Sequence, residues 1–513
     1  MQQNLGLYLS KRAQISPNVE ALIEVERGTR YTYADLNARC NRIAHVLLAE
    51  GVKPGDRVAF LLMNGVEYIE AYYAVAKIGA VMVPLNWRLV PDELAFILKD
   101  SGSTVLIFDN EFDQAVAALR ELDTDLGRFI RVGEAKDTPE FALHYEGECS
   151  TASDTEPEIV GSGDDLLFIM YTSGTTGLPK GAVHTHDTMV WACSTVVMTA
   201  DVRYRDRYLQ MLPMFHVGAL MPVTMCLIRG MTAINLRAFD PVQAWKSISE
   251  EKVTVALGVP AMLQFMLQVP ELKQYDFSQL RWILSGAAPV PVTLIEAYSE
   301  IGIEIHQIYG LTETCGPACL ISPEEALAKA GSTGPGFLYT AVRVVTGDGE
   351  EVSPGEIGEV IVSCPHLMKE YWNRPDATAD TIRDGWLYTG DLATTDKEGF
   401  VYIQDRKKDM IISGGENIYP AEIENVLVGH PSVVEAAVIG QPSAKWGESP
   451  AAIVVVKEGE KLSAGDVMGH CKGKLAGFKQ PKIVEFVDEI PRNPSGKILK
   501  RILRDRFPGP APE

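Results

Sequence analysis

Over roughly its first 400 residues the chain alternates two kinds of segment, and this alternation constrains the fold more than any other feature. One kind is a short unbroken apolar run, as at 58–63, 80–84, 104–108 and 166–171. Runs this short, without polar alternation, read as strands buried on both faces. The other kind carries apolar residues at helical spacing, as at 33–48 (Leu36, Ile43, Val46, Leu47) and 67–78. Strands separated by helices need crossover connections, so they join as parallel strands with helices over both faces. The expected class is α/β.

The character changes near residue 405. A short strand, a Gly-Gly turn and a helix opened by Pro420 come first. Strands at 433–439 and 451–456, a helix at 464–475, a strand at 483–487 and a basic terminal helix follow. This order makes a small α+β domain. The polar run Asp405-Arg406-Lys407-Lys408-Asp409 suits a joint, placing the boundary between 1–407 and 408–513.

A net charge of −21 repels nucleic acid and anionic membranes as a whole, so no nucleic-acid partner is expected. The longest apolar stretch, 217–236, is broken by Arg229 and Gly230 and contains Gly218 and Pro222, which favours a buried segment over a membrane span. Eight cysteines, with Cys315 and Cys319 the closest pair and no histidine cluster at zinc spacing, read as reduced thiols of a cytoplasmic protein. The first residues show no cleavable leader. Residues 146–165 are acidic and Ser/Thr/Gly-rich, as in a surface connection. Arg203, Arg205 and Arg207 form a basic cluster beside Asp201 and Asp206. It reads as a solvated loop, offering at most a weak peripheral membrane contact. A homodimer is left open.

The strongest local signal is Tyr-Thr-Ser-Gly-Thr-Thr-Gly-Leu-Pro-Lys-Gly at 171–181. Its glycines let backbone N–H groups approach an anion. Thr172, Ser173, Thr175 and Thr176 add hydroxyl donors, and Lys180 adds a cation. It is not a Walker loop, because Pro179 stands where that motif has glycine and Gly181 where it has Ser or Thr. Pro179 and Gly181 also argue against a helix starting directly afterwards.

This loop resembles the signature of the adenylate-forming enzymes: acyl-CoA synthetases, peptide-synthetase adenylation domains and luciferases. Further blocks occur in the family's order, so the resemblance runs from about Tyr31 to Lys500. It implies a large AMP-binding domain of parallel-rich sheets flanked by helices, with a β-barrel-like subdomain, and a small mobile α+β C-terminal domain. Ser-Gly-Ala-Ala-Pro at 285–289 resembles the turn along the adenine, where Gly286, Ala287 and Ala288 leave room for a flat base. In Gln-Ile-Tyr-Gly-Leu-Thr-Glu-Thr at 307–314, the resemblance gives Gln307, Tyr309 and Gly310 to the nucleotide, Thr312 to the α-phosphate and Glu313 to Mg²⁺. A carboxylate suits that hard cation. Asp391 resembles the ribose ligand and Arg406 its partner. The phosphate residues are then Thr172, Ser173, Gly174, Thr175, Thr176, Gly177 and Lys180. Lys497, after Pro-Ser-Gly, looks like the lysine that bridges carboxylate and α-phosphate during adenylation.

The resemblance also implies rotation of the small domain about Lys408 between two half-reactions. Gly414 and Gly415 would then line the pantetheine tunnel, with Phe478, Lys479 and Lys482 near the coenzyme A nucleotide. His216 matches the position at the mouth of the acyl pocket, as a catalytic group that orients the carboxylate or shifts to admit the thiol arm, with Trp191, Met214, Val217 and Gly218 as weaker pocket candidates. The expected activity is an ATP- and Mg²⁺-dependent acid–thiol ligase that makes acyl-AMP and then acyl-CoA, on a medium- or long-chain fatty acid. The alternatives are an aryl or hydroxycinnamic acid, or transfer to a carrier protein. A luciferase and a non-catalytic nucleotide sensor are weaker rivals, the latter because Lys497 and Glu313 are both present.

Overall fold

A computed structural model describes the chain except residues 1–2, 173–178, 289, 323, 407–408, 414–415, 444–445, 473, 476, 478, 493–497 and 510–513; for 405, 406, 416 and 417 it describes the backbone alone. Two eight-stranded sheets form the bulk of it. In the first, six strands run parallel: Leu166–Thr172, Val81–Pro84, Arg57–Leu61, Val105–Asp109, Arg128–Val132 and Leu143–His144. Lys180–Thr185 and Glu370–Tyr371 extend it antiparallel. In the second, Glu304–Tyr309, Trp282–Ser285, Val255–Gly258, Arg207–Gln210, Thr232–Asn235 and Glu20–Glu24 are parallel, with antiparallel edges at Cys319–Leu320 and Thr29–Thr32. This is the α/β arrangement that the alternating segments imply.

One continuous apolar cluster joins strand residues of both sheets to the helices Tyr33–Ala49, Val66–Lys77, His186–Thr199 and Val217–Arg229. Val66–Lys77 is buried at every position but one, as expected of a helix between two layers. Tyr33–Ala49 begins with a capping box in which Thr32 and Asp35 satisfy each other's backbone N–H groups. The stretch 217–236 folds into the buried helix Val217–Arg229 and the strand Thr232–Asn235, and no helix among the described residues is long and apolar enough to cross a membrane. All eight cysteines are free thiols.

A third sheet, Ala341–Val345, Gly358–Ser363, Trp386–Thr395, Ile382–Arg383 and Val401–Arg406, is an antiparallel half-barrel with its own apolar core. The C-terminal sheet is built on the hairpin Val433–Ser443 and Gly447–Val456. Its alternating side chains feed two cores. Ala436, Val438, Ala452 and Val454 face one, while Ala437, Ile439, Ala451 and Ile453 face the other.

Three segments differ from expectation. The hairpin strands run four residues further at the turn end than their apolar runs, because ladder pairing continues through polar Gln441, Ser443 and Ser449. The helix expected at 464–475 stops at Cys471. The connection 146–165 begins inside the helix Tyr145–Thr151 and is pinned, since Glu156 accepts hydrogen bonds from buried Lys77, Ser10 and Asn37. A buried ammonium without a counter-charge would be strongly destabilising, and Glu156 supplies one.

Candidate active site

The candidate residues gather where parallel strands of both large sheets end, the usual place for ligands in open α/β sheets. The loop at 173–178 joins two antiparallel strands in register, with Thr172 opposite Lys180, so no helix follows it. Gly181 is required there, because a Cβ would lie 2.6 Å from Ile169 Cγ2. Asp100 braces the base of this hairpin. Its carboxylate accepts from Tyr171 Oη (2.7 Å) and Arg374 (2.7 Å), and its carbonyl accepts from Trp372 Nε1 (3.0 Å).

Lys180 stands over the ring of Tyr371, 5.1 Å from its centroid. The hydroxyl of the same tyrosine donates to Glu313 Oε1 at 2.7 Å. Tyr371 therefore links the cation after the phosphate loop to the carboxylate expected to hold Mg²⁺. Sequence reasoning missed it, as it did Asp100. Glu313 sits in the single 3-10 turn Thr312–Thr314, and its carbonyl accepts from Met368 N at 2.7 Å. No group of three or more His, Cys, Asp or Glu that could hold a metal occurs among the described residues. One half-buried carboxylate oxygen beside a phosphate loop nevertheless fits Mg²⁺, which binds through one or two carboxylates plus substrate phosphates.

The residues expected beside the adenine lie at the ends of Trp282–Ser285 and Glu304–Tyr309. A Cβ on Gly286 would meet Ile308 O at 2.4 Å, so only glycine lets these strands close. Ala287 follows in a left-handed conformation at φ 68°; it is exposed and Ala288 half-buried. Ser285 and Gln307 are partners across the ladder. Ser285 Oγ and Gln307 Oε1 are buried with no hydrogen-bond partner. Buried polar atoms are normally satisfied, so two adjacent orphans mark a place for a polar ligand. Ser285 opens the adenine block, but its orphan hydroxyl is visible only in the fold. Gly310 allows the tight turn to Thr312, since a Cβ there would fall 1.5 Å from Gly316 O.

Tyr309 donates to Asp391 Oδ2 at 2.7 Å, joining the second sheet to the half-barrel. Asp391 is directly opposite Arg406 in the ladder, which puts the two expected ribose ligands on neighbouring strands. The Arg406 side chain lies outside the described residues, as do Ser173, Gly174, Thr175, Thr176, Gly177, Lys408, Gly414, Gly415, Phe478 and Lys497.

His216 caps the helix Val217–Arg229 and packs 4.4 Å from the Phe215 ring. Its Nε2 is enclosed without a partner, and burial, aided by the nearby Arg88 charge, holds the imidazole down to about 4. The ring is thus neutral at pH 7, able to accept or donate one hydrogen bond. Val217 is buried beside it and Gly218 half-buried. Trp191 instead stands at the surface of His186–Thr199, edge-on to Tyr339 at 5.3 Å.

In the C-terminal unit, Lys479 Nζ donates to both oxygens of Glu422 (2.8 and 2.7 Å), and Lys482 donates to Gly477 O (2.8 Å). The basic cluster near 205 is also engaged. Arg203 pairs with Asp201, Arg207 with Glu20 and Glu251, while Asp206 pairs with Arg281, which the sequence reading did not include.

Residues 9–372 match the AMP-binding enzyme family, and residues 422–497 match its C-terminal domain. The chain belongs to the AMP-binding enzymes. Among curated relatives, the long-chain-fatty-acid–CoA ligase FadD13 of Mycobacterium tuberculosis is 47% identical, with all of both chains covered. A feruloyl-CoA synthase of Amycolatopsis is 43% identical over 98% of this chain and 99% of that one. Among solved structures, the Bacillus subtilis o-succinylbenzoate coenzyme A synthetase in complex with ATP and magnesium superposes with a TM-score of 0.86, at 36% identity over 97% and 99% of the two chains. The hairpin around 171–181, the turn at 285–288 and the Thr312–Thr314 turn all lie within the residues that match the family.

Proposed function

We propose that the protein is an AMP-forming acid–thiol ligase that converts a long-chain fatty acid to its acyl-CoA. The observation that carries this reading is that four chemically distinct groups are brought together through Tyr371, Tyr309 and the strand Glu304–Tyr309. They are the Thr172–Lys180 hairpin ends, the Tyr371-braced Glu313, the orphan polar pair Ser285 and Gln307, and Asp391 opposite Arg406. In the first half-reaction the acid's carboxylate attacks the α-phosphorus of ATP and pyrophosphate leaves. In the second, the thiolate of coenzyme A attacks the acyl carbonyl and AMP leaves.

Asp391 and Arg406 hold the ribose, while Ser285 and Gln307 offer hydrogen bonds beside the base. Thr172, Lys180 and Thr312 bind phosphate oxygens. Mg²⁺, held by Glu313, supplies charge neutralisation on the phosphates. Lys497 bridges the two anions as they meet, which stabilises charge mostly in the transition state. We place the domain boundary at 407/408 and the rotation at Lys408. On rotation, Gly414 and Gly415 meet the pantetheine arm while Lys479 and Lys482 face the nucleotide of coenzyme A. Neutral His216, with Val217 and Gly218, borders the acyl entrance.

The greater identity to the fatty-acid ligase supports a fatty acid over a hydroxycinnamate. Each buried methylene contributes roughly 0.8 kcal/mol, so the true acid shows in a length series. The test is AMP release with free coenzyme A over saturated acids of increasing length and over hydroxycinnamic acids. Rising kcat/KM with chain length supports the proposal. Turnover of the aryl acids alone, or acyl transfer to a carrier protein but not to coenzyme A, would replace it. Arg205 is the exposed cation left in the basic cluster, so any membrane contact is weak, and vesicle co-sedimentation measures it.

A further inference from the structure

The turn that carries Glu313 is held by its backbone from two sides. His184, on the strand that follows the phosphate loop, is fully buried and lies with Nε2 2.7 Å from Thr312 O. His366, at the end of the half-barrel strand Gly358–Ser363, is equally buried and lies with Nδ1 2.8 Å from Thr314 O. Between them the Glu313 carbonyl takes Met368 N. All three consecutive carbonyls of the turn are thus tied to other elements. A carbonyl only accepts, so each facing ring nitrogen must carry the hydrogen. The two histidines therefore adopt opposite tautomers, Nε2–H in His184 and Nδ1–H in His366.

The other ring nitrogen of each histidine faces a threonine hydroxyl, which supports the His366 tautomer, while Thr188 gives its hydrogen to Thr185 O at 2.9 Å. Thr188 Oγ1 lies 3.2 Å from His184 Nδ1, and Thr340 Oγ1 lies 3.1 Å from His366 Nε2. His184 also packs on Phe168, at 5.0 Å between ring centroids. Lys180 and His184 share one strand, so the element that ends the phosphate loop also braces the carboxylate turn.

We propose that His184 and His366 are positioning residues for adenylation, each donating one tautomer-specific N–H bond to the turn that aims the Glu313 carboxylate at the phosphate-bound cation. This rests on the reading of Glu313 as the cation-holding carboxylate. Neither ring touches substrate, and both act through the backbone of the turn.

The geometry selects its own controls. The amide nitrogen of Asn overlays a histidine Nδ1, and that of Gln overlays Nε2. The matched variants are therefore His366→Asn and His184→Gln, and the mismatched ones are His366→Gln and His184→Asn. Three readouts are taken: pyrophosphate exchange as a function of Mg²⁺, thioester formation from supplied acyl-adenylate, and thermal midpoint.

Matched variants are expected to keep adenylation within about threefold of the unaltered enzyme. The mismatched His366 variant loses about tenfold or more and needs more Mg²⁺, as leaving the Thr314 carbonyl without its donor implies, and the mismatched His184 variant loses less, about three- to tenfold, because Thr312 O keeps Cys315 N at 2.9 Å. Thioesterification should change by less than about twofold in all four, since that step uses no pyrophosphate-bound cation. Equal activity in matched and mismatched variants overturns the inference. So does a parallel loss of both half-reactions, or misfolding of the matched pair. If Glu313→Gln leaves the Mg²⁺ dependence unchanged, the reading of Glu313 fails instead, whatever the histidine variants do.

Discussion

Two candidate-site carboxylates of the large part and several cations of the C-terminal unit are held by different kinds of partner. Around the nucleotide crevice, Glu313 and Asp391 are fixed by uncharged donors, the hydroxyls of Tyr371 and Tyr309. Those hydroxyls orient the carboxylates without adding a charge of their own. In the C-terminal unit four described cations are paired with carboxylates: Lys479 with Glu422, Lys500 with Glu424, Arg504 with Asp409 and Arg492 with Glu435. The difference separates preorganised groups from exchangeable ones. A cation of the small unit held by a carboxylate would have to leave it to serve an anionic ligand.

The largest test removes Lys497, the proposed adenylation lysine of the small unit. Lys497→Ala should lower adenylation by about 10²-fold or more while supplied acyl-adenylate still reacts with coenzyme A. Equal loss in both half-reactions would erase the division of labour.

A second test probes the rigidity of the large part through pH. Burial holds His184, His186, His216 and His366 down to about 4, against an ordinary value of 6.5. Between those values the unfolded chain takes up protons that the folded chain refuses. Their contribution to stability is full above pH 6.5 and is lost as the pH falls to about 4. The thermal midpoint should fall over that window. His186→Asn, which keeps an acceptor for Leu5 N, should flatten the fall.

A smaller effect is expected at Tyr371. Tyr371→Phe removes the hydroxyl from Glu313 but keeps the ring under Lys180. Adenylation should drop about three- to tenfold with a raised Mg²⁺ requirement, as for loss of one hydrogen bond to a charged group. An unchanged Mg²⁺ response would show that Glu313 needs no brace.

The smallest change sharpens the exchangeable side. Glu422→Gln releases Lys479 from its ion pair, and the KM for coenzyme A should fall about two- to threefold with kcat for adenylation unchanged, since exposed pairs are worth little. A KM that rises would mean that the pair positions the lysine.

Much of the architecture was legible without coordinates. Four apolar runs, at 58–63, 80–84, 104–108 and 166–171, lie in parallel strands of one sheet, because short unbroken apolar segments have few alternatives. The hairpin strands Val433–Ser443 and Gly447–Val456 were only half visible, since their distal residues are polar and are held by ladder bonds that leave no hydrophobic pattern. At the site, Gly286, Thr312, Glu313 and Asp391 stood out through local motifs. Tyr371 did not, because it reaches Glu313 across 58 positions of sequence. Asp100 was hidden for the same reason, meeting Arg374 across 274 positions.

The order of segments, the glycine-rich loop and the placement of acidic and basic side chains are properties of local sequence, since periodicity and turn chemistry act over a few residues. Which groups face one another is not. The orphan pair Ser285 and Gln307, the tyrosine shared by Lys180 and Glu313, and the opposite tautomers of His184 and His366 arise only when distant strands are brought into register. Hydrogen bonding depends on distances of about 3 Å, and only the packed sheets set those.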